Sequence, residues 1–323
     1  MTEKHYHVFK GDIVDNLTST DTDKPLSANQ GRVLNSKVTY GTAVPSATGN
    51  TGDLYVKFSN IPSGYLAIGT PQELADFATR VNNGETTLNA YLSADLDMTG
   101  VTCSGIGTST AYYTGVFNGC GHIISNISAD HSLFDYLGTG RIANVGMKDC
   151  TLTSVFDGGL LLHRSYGGTI ENCFVADSSI KGSYCTAGLL GLTYNSTKVA
   201  NCYCYNITLT GTYAGGLISF VRDTTVSNCA IYGGSKGDTL YNNPLGVTTT
   251  NCYTSASEGV TSDVFHTKGF WDGTGVSGTT YLSWDFADTW DWDSASSLPK
   301  LKVISADTGL YTYNGSAWIK IGS

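Results

Sequence analysis

The apolar residues in the middle of the chain alternate with polar ones, a spacing of two that is typical of strands with one buried face. The alternation slips by one residue at an asparagine, as between Ile170 and Cys173, where Asn172 intervenes. Short polar side chains of this kind are favoured in turns. The pattern therefore predicts short strands that meet at an asparagine corner.

Two residue types mark a repeat with one period. Asparagines recur at steps of 28, 29, 27 and 23 residues, and leucines at steps of 27, 29, 28 and 28 residues. Two tracks with one period indicate stacked structural repeats. The asparagines are Asn144, Asn172, Asn201, Asn228 and Asn251, and the leucines are Leu133, Leu160, Leu189, Leu217 and Leu245.

Composition decides which kind of repeat this is. Each unit is rich in Gly, Thr, Ser, Asn, Tyr and Val and poor in Ala, Glu and Lys, which excludes helical repeats. We expect coils stacked about 4.8 Å apart, with an asparagine ladder beside a column of small apolar residues. The predicted fold is all-β, a right-handed parallel β-helix, because strand crossovers are generally right-handed. The ladder is expected to begin at Asn126, and the inward column is Ile127, Val145, Cys173, Cys202, Cys229 and Cys252.

Two further elements flank the repeat. Residues 70–82 predict an amphipathic helix, because Thr70 and Glu73 can form a capping box and Pro71 occupies the first helical position. An open solenoid end exposes strand edges and apolar core, so this helix is expected to cap the N-terminal end. Residues 305–323 predict a C-terminal β-hairpin that turns at Asn314-Gly315.

Residues 1–40 lie outside the repeat. Ser27 and Gln30 predict the start of a short helix whose apolar stripe is too thin to fold alone, and copies of the same chain are its simplest partner. The run from Asp15 to Leu34 resembles a segment that recurs in tail-fibre and receptor-binding proteins of bacteriophages and prophages. Residues 41–64 resemble the short β-elements of the same fibres. The resemblance implies a homotrimer, with residues 1–40 as the attachment and trimerisation segment and 41–64 as a short β linker.

A second resemblance covers residues 65–303. The run 115–127, which contains Gly-Cys-Gly-His, and the Gly-Leu pairs at 188–189 and 216–217 resemble the GLUG-repeat family of bacterial and phage surface proteins. Asn118 stands where that family often has Asp. The resemblance implies the same β-solenoid over residues 65–304. It also implies that residues 280–303, rich in Trp and Asp, form its C-terminal cap.

Charge and apolar runs exclude two classes of partner. The formal net charge is -9 and only 14% of residues are charged, so nucleic acid is not an expected partner. No apolar stretch is long enough to span a bilayer, and residues 1–7 do not read as a secretory leader. We therefore expect no membrane insertion and no export by a signal peptide.

The nine cysteines invite a disulfide or metal interpretation, which packing opposes. An odd count excludes complete pairing within the chain, and no CxxC pair is present. Cysteine is among the residue types that are most often buried, so buried reduced thiols are the prediction. We accordingly expect folding in a reducing compartment.

Carboxylates on the repeat surface are the first candidates for catalysis, because glycan-cleaving enzymes use carboxylate pairs. No two of them share an obvious column in neighbouring coils, so no catalytic residue is assigned. His122 is interpreted as a turn residue, and the aspartates between 285 and 293 as part of the capping strand, with a calcium site as the alternative. We assign no metal and no cofactor. The candidate carboxylates are Asp157, Glu171, Asp177, Asp223 and Asp238.

The residues after the inward cysteines are expected to point outward as an aromatic column. Such a column suits stacking on sugar rings, and a neighbouring subunit in a trimer is the alternative cover for it. Arg164 and Arg222 lie at similar offsets in their repeats and are either a basic spot for an acidic sugar or solvated turn residues. The predicted glycan-binding residues are Phe174, Tyr203, Tyr205, Tyr232, Tyr253, Arg164 and Arg222.

The sequence therefore predicts a phage tail-fibre or receptor-binding protein that recognises a bacterial surface glycan. Its expected partners are that polysaccharide, two copies of itself and other tail proteins, and its expected location is the virion after synthesis in the host cytoplasm. A polysaccharide depolymerase, a glycoside hydrolase or lyase on the same scaffold, is the alternative. A bacterial surface adhesin is disfavoured because no leader or anchor is visible.

Overall fold

The structure is a computed structural model that describes residues 38–41, 54–57, 64–235, 239–304, 309–313 and 316–321. The chain divides into two units, one made of residues 62–304 and the other of residues 1–61 with 305–323. The predicted helix beginning at Ser27 lies outside the described residues.

The larger unit is a parallel β-solenoid of about six turns, which confirms the predicted fold class. Strands of successive coils pair in parallel and in register, for example Arg141 with Thr169 and Ile142 with Ile170. Each coil presents up to five short strands, and stacking makes five faces, here named A to E in chain order.

Faces A and E belong to one continuous sheet, because the long strand Ile218–Ser227 passes through both. Face A contains Leu66–Ile68, Ala90–Leu92, Val116–Asn118, Arg141–Ala143, Thr169–Glu171, Thr197–Ala200 and the second half of Ile218–Ser227. Face E contains Phe134–Leu137, Leu162–Tyr166, Leu190–Tyr194 and the first half of Ile218–Ser227, and Tyr241–Thr250 pairs with that strand along its length.

Faces B and C form a second sheet, and face D is a small third one. Face B contains Leu96–Asp97, Ile123–Ser125, Gly146–Lys148, Phe174–Ala176, the first part of Tyr203–Thr210 and Ala230–Ser235. Face C contains Ser128–Ala129, Thr151–Val155, Ser179–Gly182 and the last part of Tyr203–Thr210. Face D contains Gly158–Gly159, Cys185–Ala187 and Tyr213–Gly215.

The asparagine corner joins faces A and B. Asn172 and Asn201 have φ angles of 51° and 52°, in the left-handed region that asparagine tolerates better than most residues. Each side-chain amide donates to the amide oxygen of the rung before it, over 3.0 Å from Asn172 to Asn144 and 3.1 Å from Asn201 to Asn172. The predicted ladder is therefore present, and it runs through Asn118, Asn144, Asn172, Asn201, Asn228 and Asn251.

Two details of the repeat were predicted wrongly. The first rung is Asn118, whereas Asn126 and Ile127 belong to the corner between faces B and C, where the Asn126 side chain donates to Asp97 over 2.9 Å. The last leucine of the inward track is Leu240, whose carbonyl accepts from Leu217, and Leu245 is 57% exposed. The leucine is displaced because the last coil is short: its asparagine step is 23 residues instead of 27 to 29.

The amphipathic helix spans Pro71–Asn82, with the predicted capping box between Thr70 and Glu73. Its apolar face, which includes Leu74 and Phe77, is fully buried in the solenoid core. The Phe77 ring packs edge-on against Tyr113, with centroids 5.7 Å apart. The helix therefore seals apolar core next to the first coils, as predicted.

The C-terminal segment, residues 254–304, returns along the outside of face B instead of only closing the last coil. The Trp284 indole donates to the carbonyl of Asn228 over 3.0 Å, and the Ile304 amide donates to Cys120 over 2.7 Å. Residues 280–303, predicted as the C-terminal cap, include Trp284, which contacts a side of the solenoid. The segment holds the short helices Ser262–Phe265 and Lys268–Trp271 and the antiparallel strands Trp290–Asp293 and Leu298–Leu301.

The cysteines of the described chain are all free, as predicted. Seven are buried, and Cys103 and Cys252 are half-buried. Burial raises the pKa of the Cys150 thiol to about 11, so it stays protonated and packs as a small apolar group. No helix among the described residues is long and apolar enough to cross a membrane.

The smaller unit contains a four-stranded sheet. Gly309–Tyr313 and Trp318–Ile321 form the predicted antiparallel hairpin. Leu54–Lys57 pairs antiparallel with Gly309–Tyr313, and Val38–Gly41 pairs in parallel with Leu54–Lys57. The pairing of the hairpin with strands near the start of the chain was not predicted.

Candidate functional site: an open aromatic face

The predicted aromatic column lies on face B, where the C-terminal segment covers it. Phe174 is 5% exposed and Tyr203 only 2%. The Tyr203 ring lies 5.4 Å from that of Trp271, and its hydroxyl donates to the carbonyl of Pro299 over 2.8 Å. The expectation that these two rings are exposed is therefore wrong, because tryptophans from later in the same chain occupy their outer side.

The other three predicted tyrosines are half-buried under the same segment. Tyr205 contacts His266 through its hydroxyl at 3.3 Å, and the Tyr232 ring stacks on Phe265 at 4.9 Å. Tyr253 packs edge-on against Phe270 and Tyr281. Ring faces that could stack on a sugar are accordingly occupied on this side.

A second set of aromatic residues lies on face E and has no such cover among the described residues. We name Tyr136, Tyr112, Tyr166 and Tyr194 the tyrosine stack, in spatial order. Successive centroids are 5.6, 5.0 and 5.1 Å apart, and the ring planes differ by no more than 14°. All four side chains are half-buried. The stack therefore forms a continuous aromatic ridge along about three coils.

The stack arises from the register of face E. Tyr166 and Tyr194 are partners on neighbouring strands, as are Tyr136 and Arg164. The position before Tyr166 in the same column is Gly138, where an added Cβ would press on the Thr114 side chain and also touch the Cβ of Tyr112. The glycine thus leaves room for Tyr112, which enters from the neighbouring loop and fills the gap between Tyr136 and Tyr166.

Because each inner ring has neighbours on both faces, the stack presents ring edges and phenol hydroxyls. Burial, together with the neighbouring phenols of Tyr166 and Tyr136, raises the pKa of Tyr112. Burial likewise raises the pKa of Tyr194. The phenols of Tyr112 and Tyr194 therefore stay protonated at neutral pH, so each can donate as well as accept a hydrogen bond.

A charged cluster adjoins the Tyr136 end of the stack. Asp157 contacts His163 Nε2 over 2.8 Å through one oxygen and accepts from Arg164 over 2.9 Å through the other. Burial by itself raises the pKa of Asp157, but the contacts with His163 and then Arg164 outweigh it, and the pKa lies below its usual value. The Arg164 guanidinium carbon lies 5.9 Å from the Tyr136 ring centre. Arg164 is therefore part of the site, with its charge largely balanced by Asp157.

Asp135 is the second carboxylate near His163. It lies between Phe134 and Tyr136, whose partners on the next coil are Leu162 and Arg164, so it is opposite His163. Burial raises the pKa of Asp135, and His131 and His163 offset part of that shift. The two carboxylates around one imidazole thus have pKa values moved in opposite directions, an arrangement that can separate acid and base roles.

Arg222 lies beyond the other end of the stack. Its guanidinium carbon is 4.6 Å from the ring centre of Phe220, and its backbone amide donates to Thr193 over 3.3 Å. Sequence reasoning had paired Arg164 with Arg222, and the structure brings both to the tyrosine stack, at opposite ends.

The corner between faces C and D adds a smaller exposed aromatic pair. Phe156 is 64% exposed and Tyr184 43%, and their rings stack at 5.2 Å. Phe156 directly precedes Asp157, so this pair adjoins the charged cluster. It increases the apolar surface available to a partner.

The remaining candidate residues have structural partners. Glu171 pairs with Arg141, the Asp177 carboxylate accepts from Asn206 over 2.9 Å, and His122 Nδ1 contacts Asp95 at 3.0 Å. The Asp285 carboxylate accepts from the amides of residues 287 and 288 and therefore closes a turn. Asp238 lies outside the described residues. Among the described residues no group of three or more His, Cys, Asp or Glu side chains is arranged to hold a metal ion.

Two depressions lie away from the aromatic face. A cavity of about 170 Å³ lies between residues 98–104 and 127–133. Ser132 is one of its lining residues, and its buried hydroxyl has no hydrogen-bond partner among the described residues. An open groove of about 340 Å³ follows the corner between faces B and C, near Asp149 and Asp177. Neither contains a charged pair with opposed pKa shifts.

The tyrosine stack was missed by sequence reasoning, although part of it carries a signal. Tyr136, Tyr166 and Tyr194 recur at steps of 30 and 28 residues, close to the repeat period. These tyrosines form a third periodic set of residues, separate from the aromatic residues that follow the cysteines. Tyr112 has no periodic signal, since it comes from a loop and is recruited by the absence of a side chain at Gly138.

Comparisons with known proteins give three findings. Residues 13–41 match the family of phage tail fiber repeats. Over 219 residues, or 57% of this chain, the sequence is 26% identical to halomucin of Haloquadratum walsbyi (strain DSM 16790 / HBSQ001), and the chain spans 2% of the length of that protein. Among solved structures, a chain from Bacteroides ovatus, assigned provisionally as an immunoglobulin A1 protease, is similar with a TM-score of 0.49 and 15% identity, over 76% of this chain and 94% of that one.

Proposed function

We propose that this protein is a tail-fibre receptor-binding protein that recognises a bacterial surface glycan through face E. The observation that carries the proposal is the tyrosine stack: four half-buried, nearly parallel rings on face E, in a chain whose residues 13–41 match phage tail fiber repeats. Tyrosine suits such a role because it combines apolar area with a hydroxyl and has few rotatable bonds.

The geometry supports a sugar polymer better than a globular partner. Ring centres that follow one another at 5.6, 5.0 and 5.1 Å offer a row of phenol donors and acceptors to a repeating ligand. The exposed ring of Phe156 adds a flat apolar surface beside them. Recognition by several weak contacts would be reinforced if three copies of the chain acted together on a repetitive surface.

The decisive test is binding of the full chain to a panel of purified bacterial surface polysaccharides of known composition, measured by biolayer interferometry. The double variant Tyr166→Ala/Tyr194→Ala is expected to weaken binding by about tenfold or more, since aromatic anchors dominate such interfaces. Tyr232→Ala, on the covered face B, is the matched control and is expected to keep wild-type affinity. Loss of binding in the control alone would contradict the assignment to face E, and no binding to any polymer would contradict the function.

The oligomeric state and location follow from the same proposal. We infer a homotrimer carried in the virion, with residues 1–40 joining it to itself and to other tail proteins. The match at residues 13–41 supports this inference. Sedimentation at micromolar concentration is expected to give the mass of three chains of 34.2 kDa, and a monomer at that concentration would contradict it.

Polysaccharide cleavage is the second candidate function, and the charged cluster favours it. Asp135 and Asp157 have oppositely shifted pKa values around His163, at one end of the stack, and glycoside hydrolases use such carboxylate pairs. If the protein is a depolymerase, incubation with a bound polysaccharide releases new reducing ends or unsaturated products. Asp157→Asn and Asp135→Asn would then abolish the release without abolishing binding. Absence of release by the wild-type protein would leave the binder alone.

A further inference from the structure

The position of Arg222 extends the tyrosine stack by one coil. Tyr194 follows Thr193, whose partner on the next coil is Val221, so Arg222 stands opposite Tyr194. One coil further the partner of Arg222 is Leu245, which is 57% exposed. The column therefore runs from two stacked tyrosines through a guanidinium to an exposed apolar side chain.

The two arginines at the ends of the stack differ in their electrostatic partners. Arg164 donates to Asp157 over 2.9 Å, so its charge is balanced within the protein. Within the part of the chain that the structure describes, no carboxylate forms an ion pair with Arg222. The neighbouring Asp223 lies against Gly246 of the next coil. Among the described residues, Arg222 thus carries a positive charge without an ion-pair partner on the candidate binding face.

The surroundings of Arg222 also hold its guanidinium in place. The group lies 4.6 Å from the ring centre of Phe220, a distance at which the aromatic face attracts the cation. A planar guanidinium that rests on a ring leaves its outer N–H donors free to form two parallel hydrogen bonds to a carboxylate. Tyr166 stacks on one side of the Tyr194 ring and Arg222 is its neighbour on the other, so Tyr194 presents its ring edge and hydroxyl beside the guanidinium.

We propose that Arg222, Phe220 and Tyr194 form a subsite for a carboxylate-bearing sugar, and that the glycan recognised by this protein is an acidic polysaccharide of the uronic-acid kind. The proposal rests on the function proposed above and names its substrate class. Arg222 binds the carboxylate of the acidic residue, the ring edge and hydroxyl of Tyr194 contact the same residue, and the other tyrosine hydroxyls follow the polymer toward Arg164.

The overall charge makes this local contact necessary. The formal net charge of -9 repels a polyanion at long range. An acidic polymer therefore gains affinity only from a positive group that touches it. In the described part of the chain the guanidinium of Arg222 is such a group, whereas Arg164 is already paired with Asp157.

The test compares one acidic polysaccharide with the same polymer after reduction of its carboxyl groups to primary alcohols. The full chain is expected to bind the acidic form about tenfold or more tightly, as befits hydrogen bonds to a charged group. Arg222→Gln is expected to lower its affinity for the acidic form to that for the reduced form. Lys198→Gln, which removes one exposed positive charge from face A, is the matched control and is expected to keep the preference.

The outcomes separate the subsite from the proposed function. Equal binding of acidic and reduced polymers, with sensitivity to Tyr166→Ala/Tyr194→Ala retained, overturns the acidic subsite and leaves glycan binding intact. Equal losses in Arg222→Gln and Lys198→Gln show a general charge effect and also overturn the subsite. Preference for a phosphodiester polymer over the carboxylated one overturns the carboxylate assignment. No binding to any polymer overturns both proposals.

Discussion

The solenoid carries aromatic rings in register on two faces, and the two differ in what lies outside them. On face B, the rings of Phe174 and Tyr203 stack at 5.0 Å and lie under the C-terminal segment. On face E, the tyrosine stack has similar spacings but only partial burial. The same local pattern thus becomes core on one face and surface on the other.

The two faces differ because a distant segment of the chain has side chains that pack on face B. On face B the rings of Phe174 and Tyr203 are flanked in their column by the small residues Gly146 and Ala230, and a Cβ at Gly146 would overlap the Phe174 ring. The space around the large rings is filled by tryptophans, among them Trp271 and Trp284. On face E, Tyr112 already fills the gap at Gly138, so the column is complete without an outer layer. An aromatic column on a solenoid is therefore a binding candidate only where no other part of the chain has rings to match it.

The largest expected effect is on the covered face. Tyr203→Ala removes a fully buried ring and leaves the Pro299 carbonyl without its donor, so it is expected to lower the free energy of unfolding by about 3–5 kcal/mol. Urea denaturation followed by tryptophan fluorescence measures this directly, since the contacts of Tyr203 include three tryptophans.

Tyr203→Phe is the matched control for the ring, because it removes only the hydroxyl. We expect it to cost about 1–3 kcal/mol, the penalty for a buried carbonyl left unsatisfied. A change below 1 kcal/mol for Tyr203→Ala would contradict the burial of face B and would make its aromatic column available to a ligand again.

The contrast between the faces also shows how far sequence reasoning reaches here. The strands, the asparagine corner and the helix at 71–82 are local: each depends on side chains within one coil or on the repeat itself, and each was predicted. The cover of Tyr203 depends on Pro299, 96 residues later. The alternation of apolar and polar residues predicts which side chains point out of the coil, but not which other part of the chain packs on them. The two wrongly assigned repeat positions have other causes. Asn126 was predicted as a rung because the corner between faces B and C also uses Asn or Asp. Leu245 was predicted as an inward leucine because the last coil is shorter than the others.

A middle-sized effect is expected on the open face, at the charged cluster. Because the folded-state pKa of Asp157 is lowered, its ionised form stabilises the fold above the unfolded-state pKa of about 4, and this contribution is lost as the pH falls through the folded-state value. The groups facing it are His163, Arg164 and Cys185. Asp157→Asn is expected to cost about 1–3 kcal/mol at pH 7.

The measurement is the difference in unfolding free energy between wild type and variant across pH 3 to 8. The difference should begin to shrink below about pH 4, where the unfolded chain takes up its proton, and should be lost once the pH is below the lowered folded-state pKa. Asp288→Asn, an exposed aspartate of the C-terminal segment, should show little difference at any pH. A gap between wild type and Asp157→Asn that stays constant down to pH 3 would mean that the charge of Asp157 contributes nothing.

The smallest effect on stability is expected in the tyrosine stack itself, and it decides whether the two faces differ in kind. Tyr166→Ala removes a half-buried ring between Tyr112 and Tyr194, and the loss of such stacking costs about 0.5–1.5 kcal/mol beyond the area buried. Tyr166→Phe keeps the ring and should leave stability unchanged, while the loss of a hydroxyl should still weaken glycan binding. If Tyr166→Ala destabilises the protein as much as Tyr203→Ala, the stack is structural packing like the rings of face B. A small change in stability joined to a large loss of binding would instead assign face E to recognition, because surface rings of a binding site contribute little until the ligand covers them.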